Sequence, residues 1–594
     1  PNRKETNMLG NIIRVEDTHI TVKLNINIYE TNNLNGKYVI FAGTIVGSII
    51  EVDTQFLTIK LVGLIENNKF IYGSIITPPF NSEVRLITKE ELDIIYSINE
   101  KDNYITLGTS YIYNNYNINM NVNNYFSNHF AILGNTGSGK SYSVAKIIQS
   151  IFYDAKYLPF RTNIFLFDAY GEYQQAFRDI GMSNENINYK VYTTNQEDTE
   201  NEQLYIPFWL LNADDIALLL NVTDPRQIPI IDKALKYVNY FSSNTAGVTE
   251  YKNSIISKSI LDLIYSSKNI SETRNQIITI LTKFATEDIN LEVKLSKGGW
   301  VRSIRQCLDI DKENKFADVE VIIKYLDTFT SYDIPLILPS GSYRYTIDDY
   351  ASALEFALIS EGIFTSDKVF DYANILKIRL NSLCASNYAS YFNYDNYIDI
   401  DTYIKQLLTS RNGNKAQVVN FNINYVDDRF AKSLVKIYAR LLFNYITNQK
   451  QRGALPFHII LEEAHRYVQN DKDVEILGYN IFDRIAKEGR KYGVILGLVS
   501  QRPFELSETA ISQCSNFLIF KMFHPKDLKF ISDILPDISD NEIKLIKNLN
   551  PGVCMIFGNA FKIPLIVKMD KPHPEPNSQS INIDNIWYIK NNTQ

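Results

Sequence analysis

Two hydrophobic patterns alternate along the chain. From residue 8 to about 105, stretches such as KYVIFAGTIVGSIIEV and QFLTIKLVGLI are rich in Ile, Val, Thr and Tyr, and Asn32-Asn33, Asn35-Gly36 and Asn67-Asn68 punctuate them. Such runs broken by turn residues predict a series of short strands, and so a small β-barrel. From about 125 the pattern becomes strand–helix alternation. HFAIL (129–133) is a short apolar strand, and Val144, Ile147, Ile148 and Ile151 then recur at helical spacing. NIFLFDAYGEY (163–173), PFHIILEEAH (456–465) and VILGLVSQRP (494–503) are apolar strands that end in acidic or polar residues, and QVVNFNINY (417–425) is another. Asp427 is placed to cap a helix carrying Phe430, Leu434, Ile437, Leu441 and Leu442 on one face. GVCMIFGNAFKIPLIVKM reads as a hairpin, and the Pro-rich end behind it reads as loose.

Residues 207 to about 400 are mostly helical in pattern and contain no chemical motif. The chain therefore divides into an N-terminal β-barrel (1–122), the first part of an α/β core (123–206), a helical insertion (207–415), the second part of the core (416–570) and a tail (571–594). The 594 residues are enough for several domains, and 45% hydrophobic with 21% charged residues fits a globular protein with a full core. The net charge of -7 excludes a globally basic nucleic-acid binder but leaves room for a local basic channel. Cys307, Cys384, Cys514 and Cys554 are far apart, so neither a zinc knuckle nor a disulfide framework is expected, and a reducing cytoplasm fits best. No apolar run approaches the roughly 20 residues of a membrane helix. The chain opens on Pro1 rather than Met, so its numbering is expected to begin after a missing start, and PNRKETNMLGN has no apolar signal segment.

Between the strand HFAIL and the amphipathic helix lies Gly134-Asn135-Thr136-Gly137-Ser138-Gly139-Lys140-Ser141, which fits G-x-x-x-x-G-K-[ST]. The glycines let backbone N–H groups face phosphates, Lys140 can meet the β- and γ-phosphates, and Ser141 can ligate Mg²⁺. The helix N-terminus adds positive potential. With Tyr142 next in the chain, these residues are the expected ATP-binding set. Glu462 and Glu463 close the strand FHIIL; the first is expected to hold the Mg²⁺ water shell and the second to polarise the attacking water. His465 is expected to play a structural or coupling part, since no H-E-x-x-H pattern exists. Ser500 and Gln501 end another strand, where a polar side chain can report on the γ-phosphate. Upstream, Arg484, Lys487, Arg490 and Lys491 form a basic cluster, either a solvated helix face or a source of an arginine reaching a neighbour's nucleotide.

HFAILGNTGSGKS, DAYGEY, LEEAHRYV, EGRKYGVILGLVSQRP and GNAFKIPLIVK, in that order behind a small barrel, resemble the HerA family of hexameric ATPases, relatives of the FtsK DNA translocases. The resemblance runs from about 8 to 575 and is weakest over about 230–410. It implies a RecA-like core, a homohexameric ring and ATP-driven movement of double-stranded DNA. It also implies Glu463 as the catalytic glutamate, Gln501 as sensor and Arg490 as trans finger with Arg484 as runner-up. Asp168 and Glu172 match the family's D-x-x-G-E-Y element; with Tyr170 where His is usual, their role stays open between a core cap and a contact near the nucleotide. The family works with a NurA-like nuclease or, in bacterial antiviral defence, with sirtuin-domain NAD-consuming proteins or other effectors, docked on the N-terminal barrel. No nuclease motif occurs in the chain itself. A second reading makes the ring an ATP-gated scaffold for such an effector, with little translocation. A secretion or conjugation pump is disfavoured by the lack of membrane segments, and an ABC transporter subunit by the lack of an LSGGQ-like signature.

Overall fold

The computed structural model describes the chain except residues 1–7, 17, 27–33, 74–75, 99–100, 155, 183, 243–246, 268, 331–342, 361–366, 535–537, 539, 579–582, 584–586 and 588–594. The Asn32-Asn33 turn and most of the far end of the tail lie outside the described residues.

The N-terminal strands are β1 (Met8–Glu16), β2 (His19–Leu24), β3 (Tyr38–Phe41), β4 (Ile45–Val52), β5 (Phe56–Glu66), β6 (Lys69–Tyr72) and β7 (Val84–Leu86). They pair antiparallel in the order β2-β1-β7-β3-β4-β5-β6, and β2 also pairs with β5, which closes a barrel with β6 outside the closure. Period-two alternation sends Leu57, Ile59 and Leu61 of β5 inward against Ile20, Val22, Val39 and Phe41. Each such side chain contributes about 1.5–3 kcal/mol of burial.

Next come β8 (Tyr104–Ser110), β9 (Asn117–Asn121), β10 (His129–Leu133), β11 (Ile164–Asp168), β12 (Tyr189–Thr193) and β13 (Glu202–Gln203). β14 (Lys294–Lys297) and β15 (Trp300–Ser303) form a two-stranded sheet of their own, and the large sheet resumes with β16 (Val418–Asn422), β17 (Phe457–Leu461), β18 (Val494–Ser500), β19 (Cys514–Ile519), β20 (Val553–Gly558) and β21 (Leu565–Met569). The large sheet has the order β13-β12-β16-β11-β17-β18-β10-β19-β20-β21-β8-β9. The strands from β13 to β19 are parallel, and β19 to β9 are antiparallel. Every residue of β10, β11, β16, β17 and β18 is buried, as continuous apolar runs demand when both faces are covered. The series β19-β10-β18-β17-β11 is the strand order of a RecA-like core, with one strand separating the Gly-loop strand from the acid-bearing strand.

The barrel was expected to run to 122. Instead β8 and β9 belong to the large sheet. Their half-buried alternation, iBiBBiB and eBiBB, is what an antiparallel margin of a sheet produces, and it is indistinguishable in sequence from a barrel strand.

The helix Lys140–Tyr153 buries Val144, Ile147, Ile148 and Ile151 against Ile132, Ile164 and Leu166. The helix Asp428–Thr447 starts where Asp427 accepts from Phe430 N at 2.8 Å, and it buries Phe430, Leu434, Ile437, Leu441 and Leu442. Residues 571–578 are not a loose end. Gln149 accepts from His573 N and donates to Pro574 O, both at 2.8 Å, and Tyr142 OH donates to Glu575 at 2.9 Å. Tyr142 and Gln149 are two turns apart on one helix face, so this segment lies along that helix.

Residues 204–403 and 472–480 form a second compact unit, mainly helical, with long helices Ile228–Phe241, Val248–Tyr265, Ile270–Lys283 and Ile347–Ser360. Aromatic pairs knit it, among them Tyr237–Phe356 at 5.4 Å and Phe208–Tyr350 at 5.5 Å. The expected insertion ran from 207 to 415; here 404–415 group with the sheet, and 472–480, which no sequence pattern marked, group with the helices.

His129 begins β10 fully buried. Leu496 N donates to its Nδ1 at 2.9 Å, so Nε2 carries the proton and donates to Ala486 O at 3.0 Å. The bond at Nδ1 needs the neutral ring, and burial pushes its pKa down to about 4 against the pull of the Ala486 carbonyl, which favours the charged ring. A folded-state value below the unfolded one contributes stability near neutrality that is lost as pH falls from about 6.5 toward 4. Between pH 7 and pH 5 this group alone should cost on the order of 2 kcal/mol. The heat-denaturation midpoint of the wild type should therefore fall more steeply over that interval than that of His129→Asn. Equal slopes would show that another group titrates.

Candidate functional site

In-register parallel pairing brings four sequence-distant segments to one edge. Leu133 of β10 pairs with Ser500 of β18, and Leu461 of β17 pairs with Phe167 of β11 and Leu498 of β18. The Gly loop, the DAYGEY turn, Glu462-Glu463 and Ser500-Gln501 all follow the carboxyl ends of these strands, where α/β sheets place their ligand crevice.

The loop curls as its glycines permit. Gly139 has φ +113°, and a Cβ there would stand 3.1 Å from Gly552 N, which itself donates to Ser138 O at 2.9 Å. The helix behind the loop has first-turn N–H groups with no intrahelical partner, which makes an anion site. Lys140 is 6% exposed, and its Nζ donates to Asn135 O at 3.0 Å. Burial lowers its pKa, while the charges of Glu463, Glu462 and Glu172 hold the ammonium form.

Ser141 Oγ donates to Glu462 Oε1 at 3.2 Å. Glu462 is 3% exposed, its Oε2 accepts no hydrogen bond, and burial, with Asp168, Glu172 and Glu463 nearby, pushes its carboxyl well up. A bare, buried carboxylate oxygen beside a helix-start hydroxyl suits a hard cation, so the site fits Mg²⁺. Among the described residues no cluster of three or more His, Cys, Asp and Glu forms a metal cage.

Glu463 is equally buried and adopts φ +48°, a left-handed backbone that costs a non-glycine residue about 1–2 kcal/mol. Strain of this kind persists where surroundings fix it and clusters at functional sites. Thr136 Oγ1 donates to Gln501 Oε1, and Gln501 Nε2 donates to Glu463 Oε1. His465 Nδ1 lies 3.3 Å from Glu463 Oε2 and 3.2 Å from Ser500 Oγ. The loop tip, the end of β18 and the acid are thus one connected network, with His465 coupled to it.

The turn after β11 separates the two acids whose role was open. Asp168 is fully buried: Oδ1 accepts from the N–H groups of Tyr170 (3.3 Å), Gly171 (2.8 Å) and Glu172 (3.0 Å), and Oδ2 from Tyr173 N (3.0 Å) and Asn420 Nδ2 (3.3 Å). It is a core cap, and burial raises its pKa in spite of these bonds. Gly171 has φ +72° and packs on Asn422, where a Cβ would come within 2.9 Å of Nδ2. Glu172 instead stands by the loop: burial raises its pKa, and the neighbouring Ser141 and Ser578 hydroxyls pull it back.

The HerA helicase central-domain family matches residues 105–319. The "Probable DNA double-strand break repair helicase HerA" of Methanocaldococcus jannaschii is 24% identical over 93% of this chain and 92% of its own. The "DNA double-strand break repair helicase HerA" of Sulfurisphaera tokodaii is 26% identical over 83% of this chain and 74% of its own. The chain is similar to the HerA helicase family over most of its length. It is accordingly an ATP-hydrolysing enzyme of the P-loop class. VirB4 of Thermoanaerobacter pseudethanolicus aligns with 80% of this chain and 98% of its own at 13% identity and a TM-score of 0.40. Among the described residues no helix is long and apolar enough to cross a membrane.

Arg490 is not brought to the other site residues. It ends the helix Ile481–Tyr492, which leads into the start of β18, so it lies at the amino ends of the strands and acts electrostatically on His129. The length of β18, roughly 20 Å, separates it from the carboxyl edge of its own sheet. Its guanidinium is exposed and forms no ion pair or side-chain hydrogen bond among the described residues. Arg484, also exposed, lies 3.6 Å from Glu488. The residue whose place sequence reasoning left open, Glu172, is marked in the sequence only by the acid that ends DAYGE.

Proposed function

We propose that this protein is a ring motor that hydrolyses ATP to translocate or unwind double-stranded DNA. What supports the reading is the carboxyl-edge constellation, in which Lys140, Ser141, Glu462, Glu463 and Gln501 converge from three strand ends. In this reading the loop from Gly134 to Ser141, with Tyr142 behind it, cradles the triphosphate, and Lys140 leaves Asn135 O for the β/γ-phosphates. Glu463 orients and deprotonates the attacking water, and Gln501, already bonded to Glu463, senses the γ-phosphate. Ser141 and Glu462 would hold Mg²⁺, which when bound offsets phosphate charge. The DNA substrate is inferred from the similar proteins, which are DNA double-strand break repair helicases.

Arg490, exposed, without an ion pair among the described residues and far from its own nucleotide edge, is the candidate trans finger of a homohexamer. The N-terminal barrel is the proposed dock for a NurA-like nuclease or a sirtuin-domain effector in the cytoplasm, in DNA processing or antiviral defence. The scaffold alternative, an effector-gating ring with little translocation, gains from the net charge of -7, unusual for a committed DNA motor.

Steady-state ATPase rates with and without long double-stranded DNA at low salt separate the two. A motor should be stimulated several-fold, and more by longer DNA; a rate indifferent to DNA favours the scaffold. In the same assay Arg490→Ala should lose turnover without losing nucleotide affinity, and full activity would return Arg490 to the role of a solvated surface residue.

A further inference from the structure

Four acids gather at the carboxyl edge, and they are not equivalent. Asp168 is consumed by the backbone of its own turn. Glu463 is bonded to Gln501. Glu462 and Glu172 remain, and they approach the same hydroxyl, Ser141, from the ends of two different strands. A serine hydroxyl has one proton to donate and Ser141 gives it to Glu462, which leaves Glu172 with the Ser578 hydroxyl as its other neighbour. Glu462 Oε2, on a residue 3% exposed, accepts no hydrogen bond, although the Tyr173 hydroxyl stands beside this carboxylate. Lys140 faces both acids and Glu463, but with one of its three N–H donors given to Asn135 O at 3.0 Å its single charge stands against three carboxylates.

Two carboxylates converging on one hydroxyl in a largely buried site are unfavourable unless a cation joins them. Mg²⁺ meets this need with one or two carboxylates, phosphate oxygens and several retained waters. Glu172 is also held in place. Its N–H donates to Asp168 Oδ1 at 3.0 Å, and its carbonyl accepts from Asn577 N at 2.8 Å. Asp168 and the 571–578 segment thus fix the backbone from which this carboxylate projects.

We propose that Glu172 is a positioning residue for Mg²⁺, accepting hydrogen bonds from the cation's water shell together with Glu462. This rests on the nucleotide-site reading above. It gives the second acid of DAYGEY a task separate from that of Asp168: one acid builds the turn, and the other uses it.

The test is equilibrium binding of a slowly hydrolysed ATP analogue to the full chain, titrated with Mg²⁺ and repeated in EDTA. Loss of an outer-shell carboxylate typically weakens metal affinity roughly 10- to 100-fold. Glu172→Gln should therefore require at least about tenfold more Mg²⁺ for half-maximal enhancement of binding, with affinity in EDTA within about twofold of wild type. Glu172→Asp should recover part of the Mg²⁺ response. An unchanged Mg²⁺ requirement overturns the proposal, and so does an equal loss with and without Mg²⁺, which would make Glu172 a structural part of the turn. Lys140→Ala separates the two levels: if it binds the analogue as the wild type does in EDTA, the nucleotide-site reading itself fails.

Discussion

Lys140→Ala should abolish ATP turnover while leaving the fold intact or slightly more stable. The side chain is 6% exposed, and burial already works against its charge, so truncation removes a desolvated ammonium that makes one hydrogen bond, to Asn135 O. In the free protein that loss is small. With nucleotide bound, the same ammonium would meet the β/γ-phosphates through charge-assisted bonds worth about 1.5–3 kcal/mol each. Two such bonds, strengthened as charge moves onto the leaving oxygen, predict a fall in kcat of at least about a hundredfold, and nucleotide affinity should fall as well. A coupled assay of phosphate release, with a heat-denaturation scan as control, reads both. Undiminished turnover would remove the loop from the active site. Lost turnover with a collapsed melting midpoint would make Lys140 a structural residue.

Much of this site was legible in the sequence because strong local signals coincide with strand ends. The Gly loop lies between an apolar pentapeptide and an amphipathic helix, and Glu462-Glu463 and Ser500-Gln501 follow apolar runs long enough to be strands only. Parallel register then does the rest, since the carboxyl ends of neighbouring strands lie at one edge. The places where the sequence misled have one physical cause each. β8 and β9 alternate like barrel strands because the margin of an antiparallel sheet is half-buried whichever sheet it joins. The 571–578 segment looked loose because Pro and polar residues carry no periodicity, yet its bonds to Tyr142, Gln149 and Glu172 are made largely by backbone groups and single polar side chains. Asp168 and Glu172 could not be told apart from the motif alone. Their difference lies in which way each side chain turns, and that depends on the four backbone N–H groups that close on Asp168. Arg490 shows the opposite limit: its exposure and its place at the amino edge fit both a solvated helix end and a residue offered to a neighbour.

Glu463→Gln should stop hydrolysis and spare binding. The amide keeps the length and shape of the side chain, so the backbone at φ +48° and its partnership with Gln501 can persist, while the acceptor charge for a water proton is gone. General-base contributions are typically 10²–10⁴-fold, so kcat should fall by roughly that factor with nucleotide affinity within a few-fold of wild type. The comparison that gives this meaning is Glu462→Gln. Glu462 touches Ser141 at 3.2 Å and has a bare oxygen, so its amide variant should lose Mg²⁺-dependent affinity first, and turnover as a consequence. Equilibrium binding and single-turnover hydrolysis, measured on both variants, separate the two acids. If Glu463→Gln loses binding and hydrolysis together, the two roles are exchanged or shared, and the strained backbone at Glu463 serves cation binding rather than the water. If binding stays and hydrolysis stops, the strain has a simpler account: β17 buries Leu461, and a left-handed turn two residues on aims the next carboxylate back over the loop, where the Thr136–Gln501 link already ends.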